Sequence, residues 1–146
     1  MRMNWKQESK DELREYEAKR TAAQSIPEDI KQLEAQMVKL GGSSNSTPVK
    51  GGGSPWEDRQ INLIVKIDKL KTSLNYAQDW VSKVERGLAV LTSEERLILD
   101  RFYINPAKGN VDRLCGDLHV ERSAVYERMD KALRRYTLAR YGCVEI

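Results

Sequence analysis

The stretch HVERSAVYERMDKALRRY, residues 119–136, carries the side chains with the most evident chemical use. A turn-like pair, His119 and Val120, precedes Arg122 and Ser123 at the expected start of a helix, and basic residues continue along it. From 119 to 142 there are six basic and three acidic residues, whereas residues 1–40 carry eight of each. Such a local excess suits a helix that lies in the major groove of DNA. The simpler alternative is the solvated last helix of a small bundle.

The sequence offers few residues for a metal site, a catalytic site or a phosphate-binding loop. The only cysteines are Cys115 and Cys143 and the only histidine is His119, so we expect two reduced thiols and no metal site of the common Cys/His type. Glycine-rich residues 41–55 follow no strand, which argues against a phosphate-binding loop. The sequence therefore predicts a protein that is not an enzyme and has no catalytic residues, metal or cofactor.

The overall composition limits where the chain is expected to act. With 25 Lys and Arg against 22 Asp and Glu, the net charge of +3 gives only a weak general attraction to nucleic acid. No run approaches the roughly 18 apolar residues of a membrane span. The start, MRMNWKQESK, lacks the apolar core of a signal peptide. We therefore expect a cytoplasmic protein without a membrane partner.

The pattern of elements predicts an all-α fold, because no alternating β-branched run of strand length occurs. Residues 41–55 include seven Pro or Gly and four Ser, which predicts a flexible loop after an N-terminal helical segment, residues 1–40. Within that segment, Pro27 is expected to end one helix and to lie in the first turn of another, with Ser25 as its cap.

Residues 56–90 are predicted to form one long helix with the most regular apolar pattern in the chain. Its spacings alternate between four and three, which is typical of a helix–helix seam. The seam positions are Leu63, Ile67, Leu70, Leu74, Ala77, Val81, Val84 and Leu88. The helices of residues 1–40 have a matching length and could pack on this seam as an antiparallel, coiled-coil-like hairpin. The same seam could join two chains in a homodimer, and both arrangements stay open.

Residues 91–142 predict a compact helical module. Thr92 and Glu95 fit a capping box at the start of its first helix, and Asn110 is expected to cap a short second helix. His119 then occupies a turn position that requires positive φ, which His tolerates better than most residues. A short helix, a tight turn and a longer helix form the order of a helix-turn-helix.

Two resemblances follow from these motifs. The segments LTSEERLILDRFYI and NVDRLCGDLHVERSAVYERMDKALRRY resemble region four of bacterial sigma factors over roughly residues 91–136. The LT-x-E-E-R opening, the spacing of the turn and the closing ALRRY carry this resemblance. Residues 46–142 also resemble the RinA/ArpU-type late-gene regulators of phages and prophages, in which a helical N-terminal half, a STPVKGGG-like loop and a sigma-like C-terminal half occur together.

The sigma resemblance implies roles for individual residues. The first turns of the last helix would meet base edges through Arg122, Ser123, Tyr126 and Glu127. Residues further along would contact DNA phosphates: Lys131, Arg134, Arg135 and Arg140. Sigma factors usually carry Glu and Gln at the positions of Ser123 and Glu127, and Arg at that of Tyr126. The resemblance therefore does not carry the sigma promoter element over as the target of this chain.

The resemblances together imply a phage-encoded, sequence-specific DNA-binding regulator of transcription, which activates late or packaging genes in the cytoplasm of the bacterial host. Its partners would be double-stranded DNA, RNA polymerase and a second copy of the chain. Nothing in the sequence resembles the sigma regions that melt promoters. Two other functions stay open: a small terminase subunit that recognises phage DNA for packaging, and a coiled-coil interaction protein.

Overall fold

The computed structural model describes residues 3–42 and 55–145, and the regular elements in these ranges are helices. The helices are α1 (Trp5–Gly42), α2 (Pro55–Ala89), α3 (Ser93–Leu99), α4 (Asn110–Leu118) and α5 (Arg122–Tyr141). A π-helical turn, Asp100–Ile104, continues α3 directly. The prediction of an all-α fold is confirmed.

The predicted loop at residues 41–55 lies mostly outside the described residues. Gly41 and Gly42 still belong to α1, and Pro55 is the first residue of α2. Proline is favoured at that position, since its fixed φ suits the helix and its missing N–H has no intrahelical acceptor there.

Helix α1 continues through Pro27, so the predicted break at this residue is wrong. Proline in a helix interior costs about 3 kcal/mol, because it lacks an N–H and its ring clashes with the preceding turn. Packing outweighs this cost: Ala23 is half-buried and Ile30 is buried, so one stripe is covered on both sides of the proline. Ser25 does not cap a new helix, and its hydroxyl donates to the carbonyl of Ala22 at 3.4 Å.

The chain forms two compact units. The first consists of the described parts of Met1–Lys19 and Trp80–Ile146, and the second of those of Arg20–Asp79. The module predicted at residues 91–142 is therefore part of a larger unit, which also includes the start of α1 and the end of α2.

The second unit is built from α1 and α2 side by side. The indole Nε1 of Trp56, near the start of α2, donates to the carbonyl of Leu40, near the end of α1, at 2.8 Å. Five of the predicted seam residues belong to this unit, and all are buried or half-buried: Leu63, Ile67, Leu70, Leu74 and Ala77. At this end of the seam, Leu63 lines a small cleft together with Gln36 and Leu40 of α1.

In the first unit, α1 and α2 run antiparallel. The Tyr16 hydroxyl donates to Glu85 at 2.9 Å, and the Lys19 ammonium lies 4.1 Å from the centre of the Trp80 ring. Here the seam contributes buried Val84 and Leu88 and half-buried Val81. These helices share one core with α3, the π-helical turn and α5, formed by Leu13, Tyr16, Val84, Leu88, Leu99, Tyr103, Ile104, Ala132, Leu133 and Tyr136.

A smaller core in the first unit joins α3, α4 and α5 through Ile98, Leu114 and Val125. The capping box of α3 is confirmed: the Thr92 hydroxyl accepts from the backbone N–H of Glu95, and the Glu95 carboxylate accepts from the backbone N–H of Thr92. Asn110 is not the cap of α4 that the sequence predicted. It is the first helical residue, and its side chain donates to the carbonyl of Arg101.

Candidate nucleic-acid interface

The turn between α4 and α5 fixes where α5 begins. His119 has φ 55 and ψ 46, the left-handed conformation that the sequence predicted, and no other non-glycine residue in the described ranges has positive φ. The N–H of Val120 donates to the carbonyl of Cys115 at 3.2 Å, which closes the turn. Glu121 is extended, with φ −78 and ψ 163, so the first turn of α5 starts at Arg122.

Helix α5 has a buried and an outward side. Its buried residues are Val125, Ala132, Leu133, Tyr136 and Thr137. Successive residues of a helix are about 100° apart, so a residue two positions after a buried one lies on the opposite side of the helix. The residues there follow spacings of four, three and four and are all exposed: Glu127, Lys131, Arg134 and Leu138, which we name the outward stripe.

All four predicted base-contacting residues are exposed in the first turns of α5. Arg122 Nη1 donates to Asp112 Oδ1 at 2.6 Å, and these side chains are 62% and 74% exposed. An ion pair this exposed contributes about 0–1 kcal/mol, so a stronger ligand can compete with Asp112 for the guanidinium. Ser123 and Glu127 make no side-chain hydrogen bond or ion pair with the described residues.

The Tyr126 ring packs against Phe102 of the π-helical turn. The edge of one ring faces the other in its contact with Phe102, with ring centres 5.8 Å apart and planes at 68°. Phe102 itself packs against both cores of the first unit. This contact fixes the place of the Tyr126 ring, while 45% of the residue stays exposed.

The four predicted phosphate contacts divide into two pairs. Lys131 and Arg134 are exposed and have no ion-pair partner among the described residues. Arg135 donates to Glu95 Oε1 at 2.5 Å and to the carbonyl of Val90 at 3.2 Å. Arg140 also pairs with an acid of the protein, so two of the four cations have acidic partners and two have none among the described residues.

Arg140 belongs to a polar network around a buried carboxylate of α1. Its Nε and Nη2 donate to Glu12 at 2.9 and 3.3 Å, with the Arg140 and Glu12 side chains 18% and 7% exposed. The hydroxyls of Tyr136 and Tyr141 each donate to the same carboxylate at 2.6 Å. Burial, followed by the hydrogen bond to Glu12, raises the pKa of both tyrosines well above the ordinary value. The network joins the start of α1 to the end of α5.

Other arginines near α5 are also paired with acids. Arg128 bonds to Glu94 of α3 at 2.5 Å, and Arg101 of the π-helical turn lies 3.6 Å from Asp117 of α4. A cleft of about 350 Å³ lies between the π-helical turn, the loop before α4 and the first turns of α4 and α5. On α4 and the loop before it, by contrast, Arg113 and Lys108 are exposed and have no ion-pair partner among the described residues.

Groups placed to hold a metal ion and helices able to span a membrane are both absent from the described residues. No group of three His, Cys, Asp or Glu side chains among them is placed to hold a metal ion. None of the described helices combines the length and the apolar character needed to cross a membrane. Cys115 and Cys143 are half-buried free thiols.

No protein-family model, curated protein or solved structure matches the chain. The role of the α5 surface is therefore inferred from its own residues and geometry, together with the motifs of the sequence.

Proposed function

We propose that this chain is a sequence-specific DNA-binding protein in which α4, the turn at His119 and α5 act as a helix-turn-helix. The observation that carries the proposal is the division of α5: one side is buried in both cores, and the other presents an exposed outward stripe with Lys131 and Arg134. The major groove of DNA is about 12 Å wide and admits a helix of this kind.

The two ends of α5 have different tasks in this proposal. Its first turns present Arg122, Ser123, Tyr126 and Glu127, whose donors and acceptors suit base edges. Lys131 and Arg134 supply phosphate contacts, which set the orientation and contribute sequence-independent affinity. Arg140 is not part of the proposed interface, because it binds the buried Glu12 carboxylate. Arg135 is a weaker phosphate contact than Lys131 and Arg134 in this proposal, because it is paired with Glu95.

The biological setting comes from the resemblance to sigma region four and to phage late-gene regulators. On this basis the chain is a phage-encoded transcriptional regulator of late or packaging genes in the bacterial cytoplasm, and RNA polymerase is its second partner. The two alternatives, a small terminase subunit and a coiled-coil interaction protein, would also use the long helices α1 and α2. They differ from a transcriptional regulator in their ligands and assemblies.

Selection from a library of random duplexes tests the proposal directly. The protein should enrich a common sequence over several rounds, and Arg122→Ala should flatten the preference at about one base pair. Arg96→Ala is the control, because it removes the same charge from an exposed position of α3. If the unaltered protein enriches no sequence, it is not a sequence-specific DNA-binding protein.

A further inference from the structure

The ion pair between Arg122 and Asp112 joins the first turns of the two helices that would face DNA. Arg122 is the first residue of α5, and Asp112 is the third residue of α4. The contact is made by one guanidinium nitrogen, Nη1, to one carboxylate oxygen, Oδ1, at 2.6 Å. Both side chains face solvent, so the pair lies on the proposed interface and not in the core.

The remaining donors of Arg122 match one base edge especially well. A guanidinium carries five N–H donors in one plane, and the contact with Asp112 uses one of them. Guanine presents O6 and N7 as neighbouring acceptors in the major groove, which accept two parallel hydrogen bonds from an arginine. A side chain already held by a neighbour loses less conformational freedom when it binds.

The charge of Asp112 also separates bases from phosphates as ligands for Arg122. A phosphate beside this guanidinium would meet the exposed carboxylate, and the two negative groups would repel each other. The edge of guanine carries no net charge. Lys131 and Arg134 have no acidic partner among the described residues, which makes them the better phosphate contacts.

We infer that Asp112 is a positioning residue that holds Arg122 for a guanine, so that the DNA site of this protein contains a guanine at the base pair facing the first turn of α5. This inference rests on the proposed DNA binding. It adds a residue, Asp112, that the sequence motifs did not single out.

The test compares Asp112→Ala with Asp117→Ala in the same selection from random duplexes. Asp117 is an exposed carboxylate of the same helix, 3.6 Å from Arg101, so its removal changes the net charge equally. A bidentate arginine contact favours guanine by about five- to 150-fold, and Asp112→Ala should lower this preference by up to about fivefold, the limit for an ion pair this exposed. Affinity for random duplexes should stay the same or rise in both variants, since each loses a negative charge.

The outcomes separate this inference from the proposed function. If the unaltered protein selects a sequence and Asp112→Ala keeps the same guanine preference, Asp112 does not position Arg122. Equal losses of preference in Asp112→Ala and Asp117→Ala would also overturn the inference, because charge alone would then explain them. If the unaltered protein selects no sequence, the proposed function fails together with the inference.

Discussion

At the scale of single residues, Arg140 and Arg134 differ in burial, and we expect them to differ in their contribution to stability. Arg140→Ala leaves the Glu12 carboxylate buried without its cation, and breaking such a pair costs about 3 kcal/mol or more. Arg134→Ala removes an exposed side chain and should change the free energy of unfolding by less than about 0.5 kcal/mol. Urea unfolding of both variants measures the difference. Equal stabilities would mean that the Glu12 network contributes nothing to the fold.

The tyrosines of the same network predict a dependence of stability on pH. Their pKa values are raised in the folded state above the ordinary value of 10.0, mainly by burial. Above pH 10 the unfolded chain therefore ionises these groups while the folded protein keeps them protonated, so stability is retained below pH 10 and falls as the pH rises further.

Tyr136→Phe checks this prediction, because it removes one of the two ionisations. The variant should lose stability less steeply than the unaltered protein above pH 10, as measured by urea unfolding at a series of pH values. Tyr76→Phe changes a tyrosine that is 65% exposed and is measured beside it as the control. A slope for Tyr136→Phe as steep as that of the unaltered protein would show that burial of this hydroxyl does not govern alkaline unfolding.

At the scale of elements, Pro27 and Pro55 offer a comparison of proline inside a helix and at its start. Pro27→Ala should stabilise the protein by about 1–3 kcal/mol, because it restores an interior N–H and removes the clash of the ring. Pro55→Ala should have little effect, since the first helical position suits proline. Thermal and urea unfolding measure both variants. A destabilised Pro27→Ala would indicate that a helix starts at this proline.

Two glycines test how closely α2 approaches α5. A Cβ at Gly87 would lie 2.7 Å from Cε2 of Tyr136, whose ring is tied by its hydroxyl to Glu12. Gly87→Ala should therefore destabilise the protein by about 1–3 kcal/mol through overpacking. Gly116 has no atom within 4 Å of such a Cβ, so Gly116→Ala should stabilise α4 by up to about 1 kcal/mol. Similar effects of both substitutions on the unfolding midpoint would contradict this packing.

The elements show which features the sequence could predict. The capping box at Thr92, the positive φ of His119 and the heptad positions of α2 depend on neighbouring residues, so local patterns indicate them. The path of α1 through Pro27 depends on burial of a stripe along two packed helices, which a local pattern does not contain. For the same reason the sequence could not show that α1 uses Glu12 to hold Arg140, a partner 128 positions away.

For the candidate site, the sequence could predict which residues lie in the first turns of α5, but not which cations form ion pairs. Arg122, Ser123, Tyr126 and Glu127 are all exposed in the first turns of α5, and helix periodicity separates Ser123 and Glu127 from the buried stripe. Periodicity does not do so for Arg122 and Tyr126, which lie eleven and seven residues before buried Leu133. Periodicity cannot tell which exposed cations find acidic partners. That distinction came from contacts between helices: Arg135 bonds to Glu95 of α3, whereas Lys131 and Arg134 have no such partner among the described residues.

At the scale of the whole molecule, the small net charge means that DNA affinity must come from the local placement of cations. The net charge is only +3, and acids of α1, α3 and α4 pair with Arg140, Arg128, Arg135 and Arg122. Binding to phosphates therefore depends on the cations without such partners, of which Lys131 and Arg134 lie on the outward stripe. Affinity should fall with salt according to the number of these contacts.

The most direct test of the central claim, that the outward stripe binds duplex DNA, is the salt dependence of binding to a fluorescent duplex. The variant Lys131→Ala with Arg134→Ala should bind more weakly, and its plot of log affinity against log salt should be shallower by about two. The variant Lys69→Ala with Lys71→Ala removes the same charge from exposed positions of α2 and should keep the slope of the unaltered protein. The same slope in all three proteins, or an equal reduction in both variants, would contradict the claim that DNA binds to this face of α5.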